Sequence, residues 1–172
     1  MKRWLPLGLI AAGAVLGAAA LLLSPSEEER IRERLTQLEE AVRIDEGERN
    51  PLVRHGRIRG EFAEIFAKEA SARIAEIGDS LRGRDELANA ATQAAVVYQT
   101  AEVSLGGTEI QIDPGGMTAE VTATATVTGA RHGQEVRRDE LPVALRLEKI
   151  DGEWKIVSAT VHPRQAPGDE GR

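Results

Sequence analysis

The sequence predicts an α+β domain behind an N-terminal transmembrane helix. Three observations carry this. An unbroken apolar run fills the start of the chain, residues 27–95 place apolar side chains at helical spacing, and from Tyr98 onward the spacing drops to two. Helices first and a meander of antiparallel strands afterwards is a layout in which helices cover one face of a sheet.

The first segment, "MKRWLPLGLIAAGAVLGAAALLL", sets Lys2 and Arg3 ahead of an apolar run from Trp4 to Leu23. A run of about 20 apolar residues spans a bilayer as a helix. Positive charge before it and the acidic "SPSEEER" after it orient the N-terminus to the cytoplasm. Residues 1–25 are therefore expected to be a single-pass anchor in a bacterial inner (cytoplasmic) membrane, touching lipid through residues 4–23. The remainder is expected on the periplasmic, extracytoplasmic side. The alternative is a cleaved signal peptide, because Ala18 and Ala20 form an A-x-A-like site. Against it, Leu21, Leu22 and Leu23 would give a mature protein an exposed apolar start.

Composition narrows the function classes. The 172-residue chain carries a net charge of −6, and only 3% of its residues are aromatic. An acidic chain with few aromatics offers neither a basic patch nor a stacking platform, so nucleic acid is not expected as a partner. The absence of Cys rules out disulfides, thiol catalysis and Cys metal sites.

Ser26 and Glu29 form a capping box that opens the first helix, and Ile31, Leu35, Leu38 and Val42 make its apolar stripe. The pairs Glu29–Glu33 and Arg30–Arg34 should repel, whereas Glu39–Arg43 should attract. Gly47, Asn50 and Pro51 break this helix. A second helix is expected around Ile58, Phe62, Ile65 and Phe66. "SARIAEIGDSLRG" reads either as a helix extension or as a short strand, through Arg73, Ile74, Glu76 and Ile77. A third helix starts near Asp85 and presents the small face Leu87, Ala91, Ala94 and Ala95.

Strands follow. Ala101, Val103 and Leu105, then Ile110 and Ile112, alternate with polar residues. In "MTAEVTATATVT", Met117, Ala119, Val121, Ala123, Ala125 and Val127 face one way and the Thr residues the other, as in a half-buried antiparallel strand. Gly106–Gly107, "DPGG" and "GARHGQE" read as turns. Val143, Leu145 and Leu147 continue the pattern. Asp151–Gly152 makes a hairpin turn into a last strand, in which Val157, Ala159 and Val161 alternate with Ile156, Ser158 and Thr160. Both faces of that strand are partly apolar, which suits a place inside the sheet. Residues 164–172 read as a disordered polar tail.

Three stretches resemble the nuclear transport factor 2-like (SnoaL-like, ketosteroid-isomerase-like) superfamily: "EFAEIFAKEASARIAEI", "GRDELANAA" and "DGEWKIVSATV". The resemblance spans about Glu27 to Pro163. It implies one domain over residues 26–163: a cone of about three helices packed on a curved, mostly antiparallel sheet. It also tips Ser71–Ile77 toward a strand. It implies a homodimer or a protein partner on the outer sheet face, where Thr122, Thr124 and Thr126 lie.

Such a cone holds an active site, an apolar ligand or nothing, so fold does not decide function. An acid–base site needs a titratable group inside the pocket, and the apolar strand face carries none. No catalytic residue, metal site or cofactor is expected. Tyr98, Met117, Val121 and Leu145 are the candidate cone-lining ligand contacts. His55, His132 and His162 are read as lying in or beside loops, far apart in sequence, and Asp45, Glu46 and Glu48 as a solvated turn. The reading favoured is a membrane-tethered, non-catalytic interaction or scaffold domain of a bacterial envelope. A binder of a small apolar ligand is the alternative, and an isomerase- or cyclase-like enzyme comes third.

Overall fold

The computed structural model describes residues 25–47, 50–74 and 79–163. The expected anchor (4–23) and tail (164–172), with Glu48, Glu76 and Ile77, lie outside the described residues. Among the described residues, no helix is long and apolar enough to cross a membrane.

Helix α1 spans Glu27–Val42. Its capping box forms as expected: Glu29 N donates to Ser26 Oγ (3.1 Å) and Ser26 N to the Glu29 carboxylate (2.6 Å). Ile31, Leu35 and Ala41 are buried, and Leu38 and Val42 pack beside them. The expected repulsion between Arg30 and Arg34 is resolved by a distant acid, because both reach the Glu153 carboxylate, at 3.4 and 3.3 Å. Glu39 and Arg43 turn away from each other toward the strand Tyr98–Ile112. Glu39 accepts from Leu105 N and Arg43 pairs with Glu102.

Helix α2 spans Pro51–Ile65. The residues read as a break also start it: the Asn50 side chain accepts from Leu52 N and Val53 N, and Pro51 takes the first position. Arg54, Ile58, Phe62 and Ile65 form its buried face. Gly56 and Gly60 are exposed, and a Cβ at either would meet nothing within 4 Å. Each costs roughly 1 kcal/mol of helix stability relative to Ala.

Phe66, expected on the second helix, opens strand β1 (Phe66–Ile74) instead. The chain turns extended at this residue (φ −107°, ψ 144°) while its ring stays against Phe62, 4.8 Å between centroids. The ambiguous segment is thus a hairpin of β1 and β2 (Asp79–Arg82). Helix α3 (Arg84–Val97) starts from Gly83 at φ 85°, with Asp85 and Glu86 in its first turn. Leu87 and Ala88 are buried, and Ala91 packs on the core.

Strands β3 (Tyr98–Ile112), β4 (Thr118–Arg131), β5 (Arg137–Ile150) and β6 (Glu153–Val161) complete a six-stranded curved open sheet of order β2-β1-β6-β5-β4-β3. The sheet is mixed, since β1 and β6 run parallel. Two details differ from the alternation read in the sequence. Gly106–Gly107 is a bulge inside β3 rather than a turn, with Gly107 at φ 60°. Val157 is a bulge in β6, because Leu147 faces Ile156 while Arg146 faces Ser158. The extra residue brings Trp154 and Ile156 onto the face of Ala159 and Val161, which is why both faces of that strand look apolar in sequence. The Asp151–Gly152 hairpin forms as read, with φ 52° and 84°.

One apolar core lies between helices and sheet. Ala119, Val121, Leu145, Leu147, Trp154 and Ile156 meet Ile31, Leu35, Ile58, Phe62 and Ile65 there. A smaller cluster of Ala123, Ala125 and Val143 continues it along the same strand face.

Candidate functional site

A concavity lies at the end of the sheet where β3 begins and β4 ends. Four sequence-distant segments build it. The α1–α2 connection supplies Ile44, Asp45 and Glu46, and the first turn of α2 supplies Pro51 and Arg54. The α3–β3 junction supplies Val96, Tyr98 and Gln99, and the β4–β5 turn supplies His132. The groove holds about 410 Å³. The α1–α2 connection is fixed to the sheet: Ile44 N donates to Ala101 O (2.8 Å) and Ala101 N to Ile44 O (3.0 Å). Gln99 donates to the Glu46 carboxylate (3.0 Å). With Glu39 on Leu105 and Arg43 on Glu102, this strap covers the outer edge of β3 from Gln99 to Leu105.

Arg54 is the buried charged residue among those described, 1% exposed. Its guanidinium donates to Arg43 O (3.2 Å), holding the strap against α2. Tyr98 separates the groove from a smaller cavity of about 140 Å³ lined by Val127, Arg131 and Asp139. Arg131 lies over its ring at 5.3 Å and its phenol oxygen accepts from the guanidinium. The ring is seated because residue 129 is Gly. A Cβ there would stand 3.4 Å from Tyr98 Cδ1 and 2.9 Å from Thr100 O.

The four residues expected to line the cone do not converge. Val121 and Leu145 face each other across β4 and β5 and are packed in the core, 1% and 6% exposed. Tyr98 pairs with Arg131 at the groove end of β4, ten residues and roughly 33 Å along the strand from Val121. Met117 lies before β4 at the opposite end and is 54% exposed. Its amide is taken by Asp113, which accepts from Gly115, Met117 and Thr118 and so ends the alternation at Thr118.

Of the histidines, His132 is in the groove and His162 follows β6. His55 lies near the start of α2, with Nδ1 3.4 Å from Thr92 Oγ1 of α3. Asp45 and Glu46 line the groove, a placement the sequence showed only as an acidic turn. Hydrogen bonds hold the Glu27, Glu29 and Asp113 carboxyls below their ordinary values. None lines the groove. Among the described residues no group of three His, Asp or Glu side chains is placed to hold a metal.

Three helices on a curved, mixed six-stranded sheet, with a groove at one end, define a nuclear transport factor 2-like domain. The SnoaL-like domain family profile matches residues 53–160, and the chain belongs to that family. Solved structures share the fold. A function-unknown protein from Mycobacterium tuberculosis, Rv3472, is 18% identical with a TM-score of 0.62, over 80% of this chain and 72% of its own. A nuclear transport factor 2-like superfamily protein from Salmonella enterica serovar Typhimurium is 17% identical with a TM-score of 0.60, over 84% and 93%. A nuclear transport factor 2-like protein from Novosphingobium aromaticivorans is 13% identical with a TM-score of 0.58, over 92% and 90%. No curated protein matches the chain.

Proposed function

We propose that the chain is a non-catalytic interaction module, tethered by residues 4–23 to a bacterial inner membrane, with its SnoaL-like domain on the extracytoplasmic side. The observation that carries the non-catalytic part is the filling of the cone. Val121, Leu147, Trp154 and Ile156 are at most 1% exposed and pack against Phe62, Ile58 and Ile65. A ligand or substrate entering there would have to displace the protein's own core. The tether rests on the apolar run Trp4–Leu23 behind Lys2 and Arg3.

The tethered arrangement has a direction. Helix α1 begins beside the Asp151–Gly152 hairpin, where Arg30 donates to Gly152 O, so the chain enters the domain at the end opposite the groove. The groove then faces away from the bilayer, about 45 Å along the 14 residues of β4. The outer sheet face, with Thr122 and Thr124 exposed beside Ala144 and Pro142, is open to a partner.

The reading is tested in cells. The chain is expected to stay in the membrane pellet after a carbonate wash and to be digested by protease added to spheroplasts. It is also expected to copurify with a defined protein that Thr124→Arg releases. Intact protein that copurifies with nothing, not even itself, would sink the interaction role.

A further inference from the structure

Four of the seven exposed large hydrophobics among the described residues cluster at one corner. Leu52 and Val53 at the start of α2 are 82% and 65% exposed, and Val96 and Val97 at the end of α3 are 70% and 48%. Pro51 and Val96 line the same groove, and the His55–Thr92 contact joins the two helices just below. A patch of this kind on a soluble surface marks an interaction site.

The patch continues down α2. At 100° per residue, Leu52, Gly56, Gly60 and Ala63 fall within about 80° of one another, on the side opposite Arg54, Ile58 and Ile65. Among the described residues, nothing lies within 4 Å of a Cβ built at Gly56 or Gly60. Two exposed glycines in a helix interior have no purpose within this chain that the packing reveals. They leave a shallow track along which a second backbone can approach closely.

We propose that this face of α2 docks against the same face of a second copy, with the two helices parallel about a two-fold axis. Charge and shape fit a second copy in particular. In a parallel two-fold pair, each flank of the ridge meets the opposite flank of its mate. The helix period puts Leu52 and Arg59 on one flank and Val53 and Glu64 on the other. Val53 then meets the partner's Leu52, and Glu64 faces the partner's Arg59. Within their own chain Arg59 pairs with Asp85 at 3.2 Å and Glu64 with Lys155 at 3.4 Å, both at the surface. Their side chains are 56% and 75% exposed, so both can turn outward.

The parallel sense rests on the tether proposed above. Two chains rising from one membrane share an axis along its normal, and α2 runs from the groove end back toward the start of α1. The outer sheet face lies on the far side of the molecule and stays free in this arrangement.

The chain has no Cys, so single engineered thiols report directly. Full-length Gly56→Cys in membranes is expected to form a covalent dimer on mild oxidation, in at least about five-fold higher yield than Thr124→Cys on the outer sheet face. Adding Gly60→Arg should cut that yield about ten-fold without lowering the melting temperature, since any residue replacing a helix glycine favours the helix. A folded Gly56→Cys protein that does not cross-link overturns the docking, as does preferential cross-linking through Thr124→Cys. Pairing of Leu52→Cys with Gly60→Cys in place of self-pairing at Gly56 overturns the parallel sense. The carbonate wash reads the tether separately: a chain that washes off yet cross-links at Gly56 keeps the docking and refutes the tether.

Discussion

The indole N–H of Trp154 donates to the carboxylate of Glu27 at 2.7 Å, across 127 residues of sequence. Lys149 reaches the same carboxylate at 2.8 Å and stands over the indole ring at 5.2 Å. One acid in the first turn of α1 therefore holds both strands of the last hairpin. These contacts lower the Glu27 pKa, the Lys149 hydrogen bond most, then that of Trp154. A carboxyl depressed in the folded state adds stability above its unfolded pKa and loses it as pH falls through the folded one. Glu27→Gln should thus be less stable than the parent at neutral pH, by under about 1 kcal/mol because such exposed pairs are screened. The gap should close on acidification below the ordinary value of 4.5. Parallel curves of melting temperature against pH would refute this role.

Gly129→Ala should destabilise the fold by about 1–3 kcal/mol. The new Cβ would press on Thr100 O, a backbone atom in a paired strand that cannot swing aside, and on the Tyr98 ring. Urea unfolding measures the cost. A change in Tyr98 fluorescence or in its ring NMR signals would report the shift in the groove.

Leu147→Ala should cost about 2–5 kcal/mol, as expected for a fully buried side chain. Met117→Ala should stay within about 0.5 kcal/mol. The pair tests whether the core ends at Ala119, as the exposures of 0% for Leu147 and 54% for Met117 require. Equal losses would contradict that boundary.

Gly152→Ala should cost about 1–2 kcal/mol, the penalty for placing a side chain at a left-handed backbone position. Asp151→Asn at the neighbouring position should be close to neutral, since Asn suits the first place of such a turn. Chemical denaturation of both variants distinguishes a turn that fixes the hairpin from one that follows it.

Much of the fold was legible because its signals are local. The capping box needs only Ser26 and Glu29, the β4 face only the alternation of Ala and Val with Thr, and the hairpin only Asp151–Gly152. The misses arose where one residue changed the period. Val157 and Gly107 each add a residue to a strand; no local preference of Val157 announces it, and the glycine pair, which suits a bulge as well as a turn, was read as a turn. Phe66 keeps a helical spacing from Phe62 although the backbone has turned to strand between them. The groove was the least legible part. Asp45, Arg54, Tyr98 and His132 are far apart in sequence, and only Tyr98 was read as a ligand contact. Arg54 stands in a run of exposed residues, and an acceptor that it reaches, Arg43 O, lies just past the end of the preceding helix.

The strap from Glu39 to Glu46 sets a limit on how these molecules can assemble. A sheet grows into a fibre only if each added chain offers a fresh unpaired strand on both sides. Here the chain itself meets the β3 edge at Ala101, through the Ile44 bridge, and at Leu105, through the Glu39 side chain, both in the first half of a strand that runs on to Ile112. Strand addition on this side is thereby confined to the second half of β3, so the strap shortens the sheet's open margin rather than closing it.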